Sequence, residues 1–245
     1  MIELLTAGVL TGVLSGFFGI GGGTILVPLL LMLGVETKSA IGISVVQMVF
    51  GSIFGSYLNY KKGTLDVAMI TTIGLGGFLG ALLSGYITSV FSDRTLEIIF
   101  LLFATFALIR LFIPIKEDAK EKEAAKIWLF LIGVFIGTVS ITIGVGGSLI
   151  LVPLLVGFFH VELKKAISAG LFFVVFSSIS GFISHSIKGH IDYTQGILIG
   201  LVSLIGVYIG IILKDKVDAK MQKKLIVLFY ILVVTYLMKR VFING

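Results

Sequence analysis

Two glycine clusters are the residues best placed to do chemistry. Gly19-Ile20-Gly21-Gly22-Gly23 recurs as Gly144-Val145-Gly146-Gly147-Ser148, each time inside an otherwise apolar segment. Clustered glycines weaken a helix by about 1 kcal/mol per residue, and in hydrocarbon the freed backbone groups need other partners. A short apolar stretch follows each cluster, 24–33 and 149–159, too short to cross a bilayer but long enough for a half-helix. The first N–H groups of such a helix have no intrahelical acceptor, and its dipole adds partial positive charge at that end. The spacing therefore predicts two sites for a small anion, where glycine lets the ligand come close to the backbone. Pro28 and Pro153 fall in the opening turns of the half-helices, where a missing N–H costs least.

The other polar groups are sparse. Gln47 lies well inside an apolar span beside Ser44, and its counterpart in the second copy is Phe173. A substrate contact and a plain interhelical hydrogen bond are both open to it. Ser52, Ser140, Thr142, Ser168, Ser177 and Ser178 could donate hydroxyls, although each alone also reads as bonded to its own helix. The span interiors carry no Asp, Glu, Lys or Arg in this reading, which argues against a carboxylate proton relay or a cation pathway. With no cysteine, and with His160, His185 and His190 lacking partners at metal-ligand spacing, no metal site or cofactor is expected. No catalytic residue is expected either. An intramembrane serine protease needs an activated serine, there is no GxSG, and Ser148 with His185 is a distant pairing.

The elements that must hold the clusters follow from composition. Of 245 residues, 57% are hydrophobic and 13% charged, and the mean hydropathy is +1.14. Uncharged runs cover 4–35, 39–60, 67–92, 127–161, 166–187 and 193–213, and roughly 20 apolar residues cross a bilayer's hydrocarbon core. The chain is read as an all-α polytopic protein of the cytoplasmic membrane. Its net charge of +6 sits in loops, where it orients the chain in the bilayer, so nucleic acid is not an expected partner. Tyr60, Trp128 and Tyr193 fall near span ends, as interfacial anchors do. Met1-Ile2-Glu3 lacks a basic n-region, so the first apolar stretch does not read as a cleaved signal.

The chain also repeats itself. Residues 12–30 align with 137–155 and are identical at 11 of 19 positions. Lys62-Gly63-Thr64-Leu65-Asp66 matches Lys188-Gly189-His190-Ile191-Asp192. The expected organisation is a first transmembrane repeat over 1–113, a charged linker over 114–126 and a second repeat over 127–245. Each repeat has a glycine-broken segment (4–33 and 127–160) and three full spans: 39–60, 66–91 and 95–113, then 165–187, 192–213 and 222–242. If the broken segments fold back at their glycines, one side keeps Lys38, Arg94, Lys188, Lys239 and Arg240. The other side takes the remaining fourteen of the 19 basic residues. That asymmetry fits the positive-inside rule and favours inverted repeats, with the fourteen-residue side in the cytoplasm. Two half-helix ends would then meet near the midplane across an anion, as in carriers built on broken helices.

The duplicated GxGG clusters with their Pro-Leu-Leu tails, the Lys-Gly-x-Ile/Leu-Asp turn and the eight or so apolar segments resemble the TauE/SafE family, the sulfite exporters. The resemblance implies export or exchange of small sulfur-containing anions such as sulfite or sulfonates. It implies binding at Gly21, Gly22, Gly23, Thr24, Gly146, Gly147 and Ser148, to which the residue reading adds Gln47 and Ser44. Ser148 and Leu149 stand where the first copy has Gly23 and Thr24, so twofold symmetry is incomplete. The expected mechanism is alternating access; a passive anion channel and a non-transporting membrane scaffold are the alternatives. The expected partners are a small anion and the lipid bilayer.

Overall fold

The computed structural model describes residues 2–65, 67–112 and 125–243, and these are helical with no strand among them. The linker expected at 114–126 lies outside the described residues except for its last two. In the first half α1 spans Ile2–Phe18, α2 Gly23–Met32, α3 Thr37–Lys61, α4 Val67–Ala81, α5 Ser84–Val90 and α6 Asp93–Phe112. In the second half α7 spans Lys126–Thr142, α8 Ser148–Phe158, α9 Leu163–Ile187, α10 Tyr193–Lys216 and α11 Ala219–Ile243. Ile70–Val90 and five single helices (α3, α6, α9, α10 and α11) are long and apolar enough to cross a membrane. The span expected at 66–91 is divided at Leu82-Leu83, where the Ser84 hydroxyl turns back onto the Ala81 carbonyl at 2.6 Å. Its counterpart α10 runs unbroken.

Equivalent helices end in equivalent ways. Gly63 and Gly189 follow α3 and α9 with φ of 68° and 72°. In each case the glycine N–H bonds three residues back, to Tyr60 or Ser186, and the next N–H bonds five back, to Asn59 or His185. This left-handed closure satisfies the last carbonyls of a helix and needs a residue without Cβ. The shared Lys-Gly turn in the sequence is therefore a helix stop used twice.

The two halves embrace by exchanging helices. α1 packs along α10 and α7 along α4, while α3 and α9 lie at the centre. Small residues bring the backbones together: a Cβ on Gly12 would overlap the Ser203 carbonyl, and one on Gly206 the Val9 carbonyl. Gly80 and Gly133 do the same between α4 and α7. Without a hydrophobic drive between helices in lipid, such close approach is what holds them. Outward-facing Leu79, Phe106, Leu201, Ile205 and Leu232 are exposed, as suits a surface solvated by acyl chains.

Contacts at the helix ends define direction. At the start of α3, Gly42 lies against the His190 carbonyl just after α9. At the end of α3, Asn59 shares the Lys214 ammonium with Ser168, near the start of α9. Thus α3 and α9 are antiparallel. The glycine-broken segments fold back. The Phe17 carbonyl at the end of α1 accepts from Gln222 at the start of α11, whereas the Leu31 carbonyl at the end of α2 accepts from Arg240 near its finish. α7 and α8 form the matching hairpin. The Thr142 carbonyl accepts from Thr88 of α5, and Gly157 of α8 meets Arg110 at the far end of α6.

The chain has no cysteine, so single cysteines report on sidedness without background. We expect Lys61→Cys and Lys188→Cys to react with an impermeant maleimide from opposite sides of a sealed vesicle; labelling from one side would contradict the antiparallel arrangement. A second expectation concerns His190, whose pKa is held below 6.5 by burial and then by Lys38 and Lys188. Its neutral form is the one the fold accepts, so its stabilising contribution is complete above about 6.5 and is lost as pH falls below that value towards the lower pKa of the folded state. The thermal midpoint in detergent should drop between pH 7.5 and pH 5.5, and His190→Asn should reduce that drop; an unchanged drop would mean other groups cause it.

Candidate functional site: two glycine turns at the centre

Each glycine cluster is a helix stop joined to a helix start. In the second copy, Gly144 N–H bonds to the Ile141 carbonyl and Val145 N–H to the Ser140 carbonyl, closing α7. Gly146 and Gly147 then turn at φ of 83° and 85°, and the Gly147 carbonyl accepts from Ile150 and Leu151 to open α8. In the first copy the Gly22 carbonyl accepts from Ile25 and Leu26 to open α2. Among the described residues no backbone carbonyl accepts from the N–H groups of Gly21, Gly22, Gly23 or Thr24, nor from those of Gly146, Gly147, Ser148 or Leu149. Seven of these amides belong to the expected site residues and Leu149 adds an eighth; all eight residues are buried.

The structure brings the two turns together. A Cβ on Gly23 would overlap the Gly144 carbonyl oxygen, which accepts a 2.5 Å hydrogen bond from Ser44 on α3. The matching contact has its parts exchanged. Gly170 of α9, the counterpart of Ser44, is flanked by the Gly19 carbonyl and by Ser148. At these two matched contacts the serine is on α3 in one case and at the start of α8 in the other, and Ser177 of α9 also donates to the Gly146 carbonyl at 3.2 Å. The Ser148 hydroxyl is fully buried and has no hydrogen-bond partner.

Side chains of α3 and α9 lie against both turns. Met48 and its counterpart Val174 each contact both Gly21 and Gly146. The Gln47 amide lies directly on Gly22, and the Phe173 ring directly on Gly147. Gln47 Nε2 donates to Ser203 at 3.1 Å, while its Oε1, facing the start of α2, is buried and unpartnered. Of the two alternatives open in the sequence, the interhelical hydrogen bond is present, made by a side chain that also lies at the turn. All nine predicted residues are gathered: Gly21, Gly22, Gly23, Thr24, Ser44 and Gln47 around the first turn, and Gly146, Gly147 and Ser148 around the second.

The sulfite exporter TauE/SafE family matches residues 4–237. The chain belongs to this family. It is 25% identical over 256 residues to the probable membrane transporter protein YunE of Bacillus subtilis, covering 93% of this chain and 92% of that one. A probable membrane transporter of Methanocaldococcus jannaschii is 26% identical, covering 91% and 86%, and one of Haemophilus influenzae 28%, covering 76% and 73%. No solved structure matches. This TauE/SafE protein is a multi-pass membrane transporter.

Sequence reasoning missed charged groups near the span ends. Lys214, one residue beyond the run 193–213, is completely buried. It donates to Asn59 Oδ1 at 2.7 Å and Ser168 Oγ at 3.2 Å, both neutral, because the adjacent Asp215 pairs with Lys62. Glu97 is buried in the opening turns of α6, where it accepts from Thr37 and Arg240, each at 2.9 Å. The reading of uncharged span interiors did not extend to their ends, and it is there that these buried charges lie. Nothing in the pattern of a terminal Lys-Asp-Lys marks its first lysine as the buried one.

The two N-cap glycines should respond differently to a methyl group. Gly22 has a φ of −61°, so Gly22→Ala is unstrained in its backbone and meets the Gln47 amide first; it should cost about 1–3 kcal/mol by overpacking. Gln47→Ala in the same chain should recover most of that loss in a detergent thermal melt. Gly147→Ala is strained by its own backbone, and Phe173→Ala should not rescue it. Equal rescue at both sites would show that the covering side chains alone decide.

Proposed function

We propose that the protein is a secondary carrier that exports or exchanges small sulfur-containing anions such as sulfite or a sulfonate. The anion would bind between the α2 and α8 N-termini through amides of Gly21, Gly22, Gly23, Thr24, Gly146, Gly147 and Ser148, with the Ser44, Gln47 and Ser148 side chains around it. The observation that carries this reading is the pair of apposed turns whose N–H groups have no backbone acceptor, with Gln47 Oε1, a lone acceptor oxygen, laid against one of them. A buried amide left unpaired costs about 1–3 kcal/mol, so a site with several of them gains by receiving an oxyanion. Helix dipoles add at most about 2 kcal/mol each in buried geometry. Such a site holds an anion without the full charge of an Arg or Lys, which suits release.

The closed packing favours a carrier over a channel. Gln47 and Phe173 lie against Gly22 and Gly147, and Met48 and Val174 against Gly21 and Gly146, so an anion reaching the turn amides would displace these side chains, as in a carrier that opens by moving parts. The antiparallel α3 and α9 support inverted repeats that could rock against each other. Lys214 would lie at the cytoplasmic end of the α3–α9–α10 interface, where an ammonium held only by neutral oxygens attracts anions towards the path. With the inside negative, a membrane potential favours expulsion of an anion by about 2.3 kcal/mol per charge per 100 mV.

Proteoliposomes loaded with sulfite, sulfate, thiosulfate or a sulfonate test the proposal. We expect saturable flux of a sulfur oxyanion that is accelerated by the same anion on the opposite side. Gly22→Leu should lower it at least ten-fold while the protein remains folded by melting in detergent. Flux no greater than in protein-free vesicles would contradict transport of these anions, and flux without counter-exchange would favour the channel.

A further inference from the structure

A second basic site lies away from the glycine turns. A cavity of about 520 Å³ is lined by Arg110, Gly157, His160, Lys220 and Lys223 among apolar side chains of α6, α8 and α11. Arg110 Nε and Nη1 are buried and have no hydrogen-bond partner. Its guanidinium lies 4.6 Å from the centre of the Phe158 ring and fits because Gly157 has no Cβ to meet it. His160 Nδ1 is also buried and unpartnered. Among the described residues no carboxylate lines the cavity, so four groups able to donate to an anion converge there without a counter-charge from the described part of the chain. Burying guanidinium N–H groups without acceptors is costly, and an incoming anion would remove that cost.

The cavity continues into an apolar groove. A neighbouring hollow of about 410 Å³ shares Leu111, Lys220 and Lys223 with it and adds Phe112, Lys224, Val227, Leu228 and Ile231. Leu228 and Phe112 are among the exposed large apolar residues. A free inorganic anion would use the basic part and leave the groove empty. A molecule with a phosphate at one end and an acyl chain at the other would use both.

We propose that Arg110, His160, Lys220 and Lys223 bind the phosphodiester of an anionic phospholipid, whose acyl chain lies along the groove between α6 and α11. The site falls on the lysine-rich end of the protein, and basic pockets between membrane helices on that side suit such headgroups. It is independent of the anion proposed at the glycine turns, since none of its residues belongs to them.

Native mass spectrometry of the full chain in a neutral detergent, titrated with phosphatidylglycerol or phosphatidylcholine, tests this. The first phosphatidylglycerol should bind at least ten-fold more tightly than the first phosphatidylcholine. Lys220→Gln/Lys223→Gln, which alters one exposed and one half-buried lysine and should fold normally, should cut that preference several-fold, and adding Arg110→Gln should bring it within two-fold of none. Lys61→Gln/Lys216→Gln removes the same charge from the same end and should leave the preference intact. Equal loss in that control would overturn the proposal in favour of diffuse surface charge. Displacement of the first lipid by millimolar inorganic phosphate would overturn the lipid as occupant. An unchanged preference in the triple variant would overturn the site.

Discussion

In hydrocarbon, each backbone N–H and C=O has to find a partner inside the protein, and this structure depends on where that demand is left unmet. Its long helices satisfy themselves. Its two hairpin helices, α1–α2 and α7–α8, each expose a fresh set of helix-start amides at the molecular centre. Packing around the turns tolerates this only because they are buried and pressed together, Gly23 on the Gly144 carbonyl and Gly170 on the Gly19 carbonyl. Glycine is required on both counts, for the left-handed turns and for the closeness of approach.

The same demand explains the asymmetry between halves. At one turn the serine is on the crossing helix, where Ser44 caps the Gly144 carbonyl. At the other it is on the half-helix itself, and Ser148 caps nothing. Gln47 over Gly22 and Phe173 over Gly147 repeat this division, one cover polar and the other apolar. A pseudo-symmetric fold therefore surrounds a chemically one-sided centre, and a ligand held there would have one face against amide and hydroxyl groups and another against Phe173 and Met48.

Much of this was legible in the sequence. The duplicated clusters located both turns, and the Lys-Gly repeat located two helix stops whose hydrogen bonding is the same. The distribution of basic residues pointed to fold-back of the broken segments, because only that arrangement gathered most of them on one side. What the sequence could not reveal depended on non-local packing. Whether the space between two turns is empty or filled is decided by Met48 and Val174, ordinary apolar residues in ordinary apolar helices. Lys214 ends up buried because Asn59 and Ser168, 155 and 46 residues away along the chain, supply its acceptors. No local pattern encodes that encounter.

The most direct measurement of the central claim is an experimental structure of the protein soaked with selenite, whose selenium scatters anomalously and whose oxygens match those of sulfite. One strong anomalous peak is expected between the starts of α2 and α8, within hydrogen-bonding reach of the Gly21–Thr24 and Gly146–Ser148 amides, with Gln47 displaced from Gly22. A turn region with no selenium at saturating selenite, or selenium found only at surface lysines, would contradict it.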